Sequence, residues 1–443
     1  MAVGRTRAVA LLGMEGHLIE VEAHLAAGLP SFTLVGRPDA SLAESRERVR
    51  AALHSSGLAF PQRRVTVNLF PADLPKTGSG FDLSIAIAML TAAGVMRPGS
   101  DRIVHLGELG LDGRVHAIRG ILPAVLEAVR SGFPEVVVPW ANAAEAALVP
   151  GAQVRAVAHL AELAAIYGAD VEIPSFTEPD EASASPAPAL GLDLRDVVGQ
   201  NEARFALEVA AAGSHHLLLA GPPGTGKTML AARLPSLLPD LRESEAVEVT
   251  SLHSIAGVFD PAAGLMTRPP MESPHHTASP AAIVGGGTGV PRPGAASRAH
   301  RGVLLLDEAP EFGSRVLETL RQPLESGELV LARGAGSARY PARFQLVLTA
   351  NPCPCGKGGG KGLDCTCTVQ QRRRYLGRLS GPLLDRVDLQ VDVPTSRLSA
   401  TMAATGESSG VVAARVAAAR ERMSARLAGT PWRTNASVPG AWL

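Results

Sequence analysis

"HHLLLAGPPGTGKTMLAARL", residues 215–234, decides how this chain is to be read. The run "LLLA" is short, apolar and bounded by a glycine turn, the pattern of a fully buried strand. "GPPGTGKT" (221–228) then matches G-x-x-x-x-G-K-[ST], and "KTMLAARL" carries helical periodicity. A strand, a glycine-rich turn and a helix in that order let backbone N–H groups close around phosphate oxygens. Gly221, Pro222, Pro223, Gly224, Thr225 and Gly226 would form the cradle. Lys227 would reach the β- and γ-phosphates of ATP, and Thr228 would ligand its Mg²⁺.

Two further strands supply what such a cradle needs. "GVLLLDE" (302–308) is an apolar run tipped by two acids. Asp307 can hold the Mg²⁺ shell and Glu308 can polarise an attacking water. "FQLVLTAN" (344–351) ends in Asn351, a neutral amide able to position that water; the alternative is a turn-forming Asn before Pro352. Strands alternating with helices at this spacing predict an α/β core, a parallel sheet flanked by helices.

At 443 residues, two or three domains are expected. Residues 1–173 alternate apolar runs with turns: "HLIEVEAHL", "SFTLVG", "RVTVNLFP" and "EVVVP" read as strands. "ASLAESRERVRAALHSSG", residues 81–94 and "ILPAVLEAVRSG" read as helices, and "IVHLGELGLDGRVHAI" as a hairpin turning at "LDGR". This predicts an α+β domain. Residues 174–192 include the Pro-, Ala- and acid-rich "PSFTEPDEASASPAPAL" and are expected to be a flexible linker. The nucleotide core is placed at 193–400, and 401–443 holds the strong helix "VVAARVAAARERMSARLA". Lys+Arg and Asp+Glu each total 42, so any nucleic-acid surface must be a local patch. "LSIAIAMLTAAGVM" (83–96) is too short to span a bilayer, no targeting segment is convincing, and a cytoplasmic location without a membrane partner is expected.

"GPPGTGKT", "LLLDE" and a strand ending in Asn resemble an AAA+ ATPase. "VVGQ" (197–200), "PHHTAS" (274–279), "AHRGVLLLDE" (299–308), "RQPLESG" (321–327), "NPCPCG" (351–356) and "RLSGPLLDRVDL" (378–389) more specifically resemble the magnesium-chelatase-like ComM/YifB family. The resemblance covers essentially the whole chain. It implies Val198 and Gln200 near the adenine, Asn351 as a sensor, and Arg386 as an arginine finger for a neighbouring subunit. An ion pair with Asp385 or Asp388 is the alternative for Arg386. It further implies a homo-oligomeric ring, a hexamer, hydrolysing ATP with Mg²⁺. The task implied is DNA translocation, meaning helicase or branch-migration activity. The rival readings are a chelatase-type remodelling motor working with partner subunits and a low-turnover nucleotide-gated scaffold.

"PADLPKTGSGFDLSIAIAML" (71–90) and "GELGLDGRVHAIRGILPAVLEA" (107–128) resemble a Lon-protease-like, ChlI-type domain. Gly80 stands in the serine slot and Leu122 in the lysine slot, so a non-catalytic domain is expected, not a protease. Related proteins continue into a helical lid, which is expected to be largely missing here.

Four features remain. "ELVLARGAGSARYPARFQLVL" (328–348) reads as a hairpin with "GAGS" at its tip, where Arg333 and Arg339 could meet a phosphate backbone or simply solvent. "QQRRRYLGR" (370–378) would serve DNA or, preferably, a subunit interface. His275 and His276 are adjacent and lack a third ligand nearby, so metal binding there is disfavoured. The four cysteines form two C-x-C pairs, Cys353/Cys355 and Cys365/Cys367. Structural zinc, free thiols and disulfides all stay open, although C-x-x-C is the more usual zinc knuckle.

Overall fold

The structure is a computed structural model describing residues 3–97, 99–174, 191–287, 291–333, 336–358, 364–395, 406–439 and 442. Two sheets organise it. The first is seven-stranded, in the order 31–35, 64–70, 15–26, 3–12, 104–105, 135–139, 153–157. Strand Val3–Leu12 and strand Glu15–Ala26 form an antiparallel hairpin whose turn uses Gly13 at φ 64. Along Glu15–Ala26, Ile19, Val21, Ala23 and Leu25 are buried on one face. That face is covered by helix Asp82–Ala92, which is apolar nearly all round and correspondingly buried.

Sequence periodicity missed strands Val3–Leu12 and Gln153–Val157. In the first, arginines at 5 and 7 break the apolar run, but they face Glu20 and Glu22 on the neighbouring strand. The helix expected over "ASLAESRERVRAALHSSG" is two pieces, Ala40–Ala43 and Ser45–Ser55, with Asp39 capping the first. The "LDGR" hairpin forms between Glu108–Leu109 and Val115–His116, while Val104–His105 leaves it to join the large sheet in parallel.

The second sheet is five-stranded and wholly parallel, in the order 271–272, 303–306, 345–350, 217–220, 389–392. Its side chains alternate between two dry layers. Leu217, Leu219, Val303, Leu305 and Val347 enter one core, and Leu218, Leu304, Leu306, Leu346 and Leu348 the other. Burial on both faces is why these strands are continuous apolar runs rather than alternating ones. Helices Asn201–Gly213 and Ser409–Arg426 cover the first face; the short helices Ala295–Arg298 and Ser314–Thr319 pack on the second. The architecture is thus the α/β parallel-sheet core preceded by an α+β domain. Edge strand Met271–Glu272, only two residues long, and strand Leu389–Asp392, which mixes polar letters into a half-exposed run, were not legible in the sequence.

Helix Glu243–Ala256 joins the two halves. Val247 and Leu265 pack into the core beneath helix Ile121–Arg130. The Ser254 hydroxyl donates to the buried Glu145 carboxylate, which also accepts the backbone N–H of Leu122 at 3.1 Å. Gly120 donates its N–H to the Ser254 carbonyl at 3.3 Å. The linker expected at 174–192 lies largely outside the described residues, as does the hairpin tip at 334–335. Among the described residues no helix is long and apolar enough to cross a membrane.

Candidate nucleotide site

Parallel pairing brings three strand ends to one edge of the sheet. Ala220 is level with Ala350, and Leu306 with Leu348, so Gly221, Asp307 and Asn351 emerge side by side. Glycine is required in the loop that starts there. A Cβ on Gly221 would lie 2.2 Å from the Val393 carbonyl oxygen, and Gly224 and Gly226 adopt φ 79 and φ 86.

Lys227 is buried in this loop. Its ammonium donates to the carbonyls of Gly221 at 2.7 Å and Pro222 at 2.8 Å, and to the Asn351 side-chain oxygen at 3.1 Å. Burial pulls its pKa below the usual lysine range, while Asp307 and Glu308 oppose that shift. The Thr228 hydroxyl donates to Asp307 Oδ1 at 2.9 Å. Thr228 and Asp307, the expected Mg²⁺ ligands, are therefore already adjacent, with hard oxygen donors suited to that ion.

Thr349 was missed in the sequence, where it is only the penultimate polar letter of "FQLVLTAN". Fully buried, it donates to Asp307 Oδ1 at 2.6 Å and accepts the backbone N–H of Glu308 at 2.8 Å. Glu308 sits at φ 53, a left-handed conformation that costs a side-chain-bearing residue about 1–2 kcal/mol. The Thr349 hydroxyl holds that turn and so aims both acids. Asn351 Nδ2 reaches Glu308 Oε1 at 3.4 Å.

Gln200 also sits in the left-handed region, at φ 53. Its amide donates to the Pro394 carbonyl at 2.7 Å and, at 3.4 Å, to that of Thr225 inside the glycine loop. Val198 beside it is 43% exposed, an apolar surface open to a ligand.

Arg386 does not share this edge. It precedes strand Leu389–Asp392, whose Leu389 is level with Leu217 and whose Asp392 is level with Ala220. It therefore lies where the strands begin, a strand length of about 13 Å from where Gly221 emerges. Its guanidinium pairs with Glu325 at 2.9 Å, both side chains being about half exposed. Neither Asp385 nor Asp388 is that partner. Asp388 instead accepts the backbone N–H of His216 at 2.8 Å, because its backbone leads directly into the strand beside 217.

The basic run 370–378 forms most of helix Val369–Leu376, capped by Thr368 and Gln371. Tyr375 is buried, and Arg378 donates to the Pro310 carbonyl at 2.9 Å and to Glu311 at 3.2 Å. Arg378 is thus tied to the segment that follows Glu308. Arg339 is exposed and lies 3.5 Å from Glu328 across the hairpin. Ser79 donates to the Glu108 carboxylate and the buried Lys76 to the Pro71 carbonyl; Leu122 is buried.

Among the described residues, the one cluster of three or more close metal-ligating side chains is Cys353, Cys355, Cys365 and Cys367, whose ligand atoms all lie within 4.8 Å of one another. All four are unbridged thiols, which removes the disulfide alternative in this structure. The Lys357 N–H, directed at Cys355, is the main reason its thiol pKa is lowered to about 6. His275 bonds Thr277 at 2.8 Å and stacks on His276, and neither belongs to such a cluster.

Comparison with known proteins finds relatives along the whole chain. Residues 193–401 match the family described as magnesium chelatase, subunit ChlI, and residues 21–142 match subunit ChlI of Mg-chelatase. An uncharacterized protein of Mycobacterium tuberculosis is 53% identical over 100% of this chain and 87% of its own length. YifB of Escherichia coli is 43% identical over 96% of this chain and 83% of its own. The competence protein ComM of Haemophilus influenzae is 43% identical over 87% of this chain and 75% of its own. The two family matches and identity at this level along most of the chain lead to one conclusion: it belongs to the magnesium-chelatase-like AAA+ family of YifB and ComM.

Proposed function

We propose that this protein is a Mg²⁺-dependent ATPase that works as a homo-oligomeric ring and moves DNA. The observation that carries the ATPase reading is the convergence of Lys227, Thr228, Asp307, Glu308 and Asn351 at one sheet edge. The glycine loop and Lys227 would hold the β- and γ-phosphates, releasing the carbonyls that Lys227 now contacts. Thr228 and Asp307 would hold Mg²⁺, which neutralises phosphate charge when bound. Glu308 would take the proton of the attacking water, and Asn351 would orient that water against the γ-phosphate. Val198 and Gln200 would line the adenine side.

The position of Arg386 supports a ring. It lies too far from its own phosphate loop to serve it, yet it is an exposed, permanently charged group at the opposite edge. A neighbouring subunit could bring that edge to a second subunit's γ-phosphate, where a planar guanidinium stabilises transition-state charge. Hexamers and a cytoplasmic setting follow the family resemblance. For DNA, the exposed Arg373 and Arg374 of helix Val369–Leu376 and Arg339 of the hairpin supply local positive charge on a chain with no net charge. Structural zinc on the four cysteines completes the proposed cofactor set.

The test is ATP turnover with and without branched DNA across several salt concentrations. The expected result is salt-sensitive stimulation that disappears in Lys227→Ala. A ring-forming protein whose turnover ignores DNA would remove the DNA reading and leave the chelatase-type remodelling motor, which the family match over 193–401 favours as second choice.

A further inference from the structure

The cysteine loop begins where the nucleotide site ends. Asn351 bonds Lys227, and Cys353 follows two residues later, buried. The backbone then turns, with the Gly356 N–H donating to the Cys353 carbonyl at 2.9 Å, and Gly356 adopts φ 75. At that turn it touches the phosphate loop: a Cβ on Gly356 would lie 2.4 Å from Cγ of Pro223. The cysteine loop is therefore a wall against the outside of the cradle.

The sulfurs are arranged for a metal. Cys353 lies 3.3 Å from Cys355 and 3.6 Å from Cys365, and Cys355 lies 3.6 Å from Cys365. Thiolates held tetrahedrally at about 2.3 Å from zinc stand about 3.8 Å apart, so a small contraction or expansion of this cluster seats the ion. Four sulfurs and no oxygen make a soft ligand set, suited to zinc and unsuited to Mg²⁺. Backbone N–H groups of Gly358, Lys357 and Cys355 are directed at the sulfurs of Cys353, Cys355 and Cys367. Such amides stabilise bound thiolate and orient it.

We infer that Cys353, Cys355, Cys365 and Cys367 bind one zinc-class ion, and that this centre braces the phosphate loop through the Gly356–Pro223 contact, making nucleotide affinity depend on the metal. The inference rests on the ATP and zinc readings above and adds the coupling between them. With the ion bound, the loop is fixed at both C-x-C ends and Gly356 cannot retreat from Pro223. Without it, the cost of ordering the loop falls on the nucleotide.

Three measurements on the full chain test this. Metal analysis of protein purified under reducing conditions should find one zinc per chain, and cobalt substitution should give the absorption of a tetrahedral thiolate site. Chelation should then weaken a fluorescent ATP analogue about tenfold, reversed by added zinc. Gly356→Ala, which keeps all four thiols, should retain zinc yet show the same weakening, with an unchanged far-ultraviolet circular dichroism spectrum. Absence of zinc with normal ATP-analogue affinity would overturn the metal centre while sparing the ATP site. Full zinc with affinity unmoved by chelation and by Gly356→Ala would overturn the brace alone. Failure of even the zinc-loaded protein to bind the analogue would overturn the ATP reading and the brace with it, leaving the metal result to stand by itself.

Discussion

The Lys227 ammonium donates to the side-chain oxygen of Asn351 at 3.1 Å, joining residues 124 positions apart. The contact exists because strands 217–220 and 345–350 are parallel neighbours ending level with each other. It links the group read as the phosphate ligand to the group read as the sensor, so a change at either is felt by the other.

Lys227→Ala removes the only lysine of the glycine loop. If the proposed site holds Mg-ATP, the ligand should raise the melting temperature of the unaltered protein by preferential binding to the folded state. The expected outcome in the variant is loss of that rise, read by thermal shift over a range of ATP concentrations. A variant melting point that climbs with ATP as before would contradict the role given to Lys227.

Glu308→Gln keeps the length and the φ 53 backbone but cannot take up a proton. Mg-ATP should still bind, while turnover falls about 10²–10⁴-fold, the usual range for removing a general base. Equilibrium binding and steady-state hydrolysis measured on one preparation check both halves. Thr349→Val should produce a milder version of the same defect, since it frees Asp307 and Glu308 from their shared hydroxyl.

Arg386→Ala breaks an ion pair with Glu325 in which both partners are about half exposed. Stability should change by less than about 1 kcal/mol, since exposed pairs contribute little. Turnover in assembled rings should nevertheless fall about 10³-fold or more if the guanidinium acts on a neighbour. Mixing Arg386→Ala subunits with Lys227→Ala subunits should restore some activity, because each supplies what the other lacks across one interface. Unimpaired turnover in the single variant would sink the finger.

Acid should destabilise the N-terminal sheet through His105. This ring is fully buried between Thr6, at 2.6 Å, and Tyr167, at 2.7 Å, and burial pushes its pKa down to about 3. The unfolded chain takes up the proton near pH 6.5, so stability falls progressively as pH drops below that value toward 3. The loss from this one group is about 2 kcal/mol at pH 5. In His105→Gln the difference in denaturant midpoint between pH 7 and pH 5 should shrink accordingly; an undiminished difference would place the acid sensitivity elsewhere.

Much of the site was legible because its letters carry their own chemistry. "GPPGTGKT" is a backbone requirement written as residues, since Gly224 and Gly226 need left-handed φ and Gly221 needs the space a side chain would fill. "LLLDE" and "VLTAN" are apolar strands ending in polar groups, and strands buried on both faces announce themselves. Thr349 was not legible, because a buried hydroxyl is indistinguishable in sequence from any β-branched strand residue until its two partners are placed. The two-residue edge strand at 271–272 was equally silent, being too short to show a period.

The sequence by itself determined the glycine loop, the acidic and amide strand tips, the parallel α/β core and the ChlI-type text before it. These are local: each depends on residues adjacent in the chain. Tertiary structure alone decided which edge of the sheet each group occupies. Parallel strand direction and register put Arg386 at the end of the strands away from the glycine loop, where Glu325 is its partner. The fold also set the cysteine loop against Pro223, a contact between segments far apart in sequence. Such facts depend on which strands pair and in which direction. Side-chain identity constrains that choice only through the summed burial of the whole core.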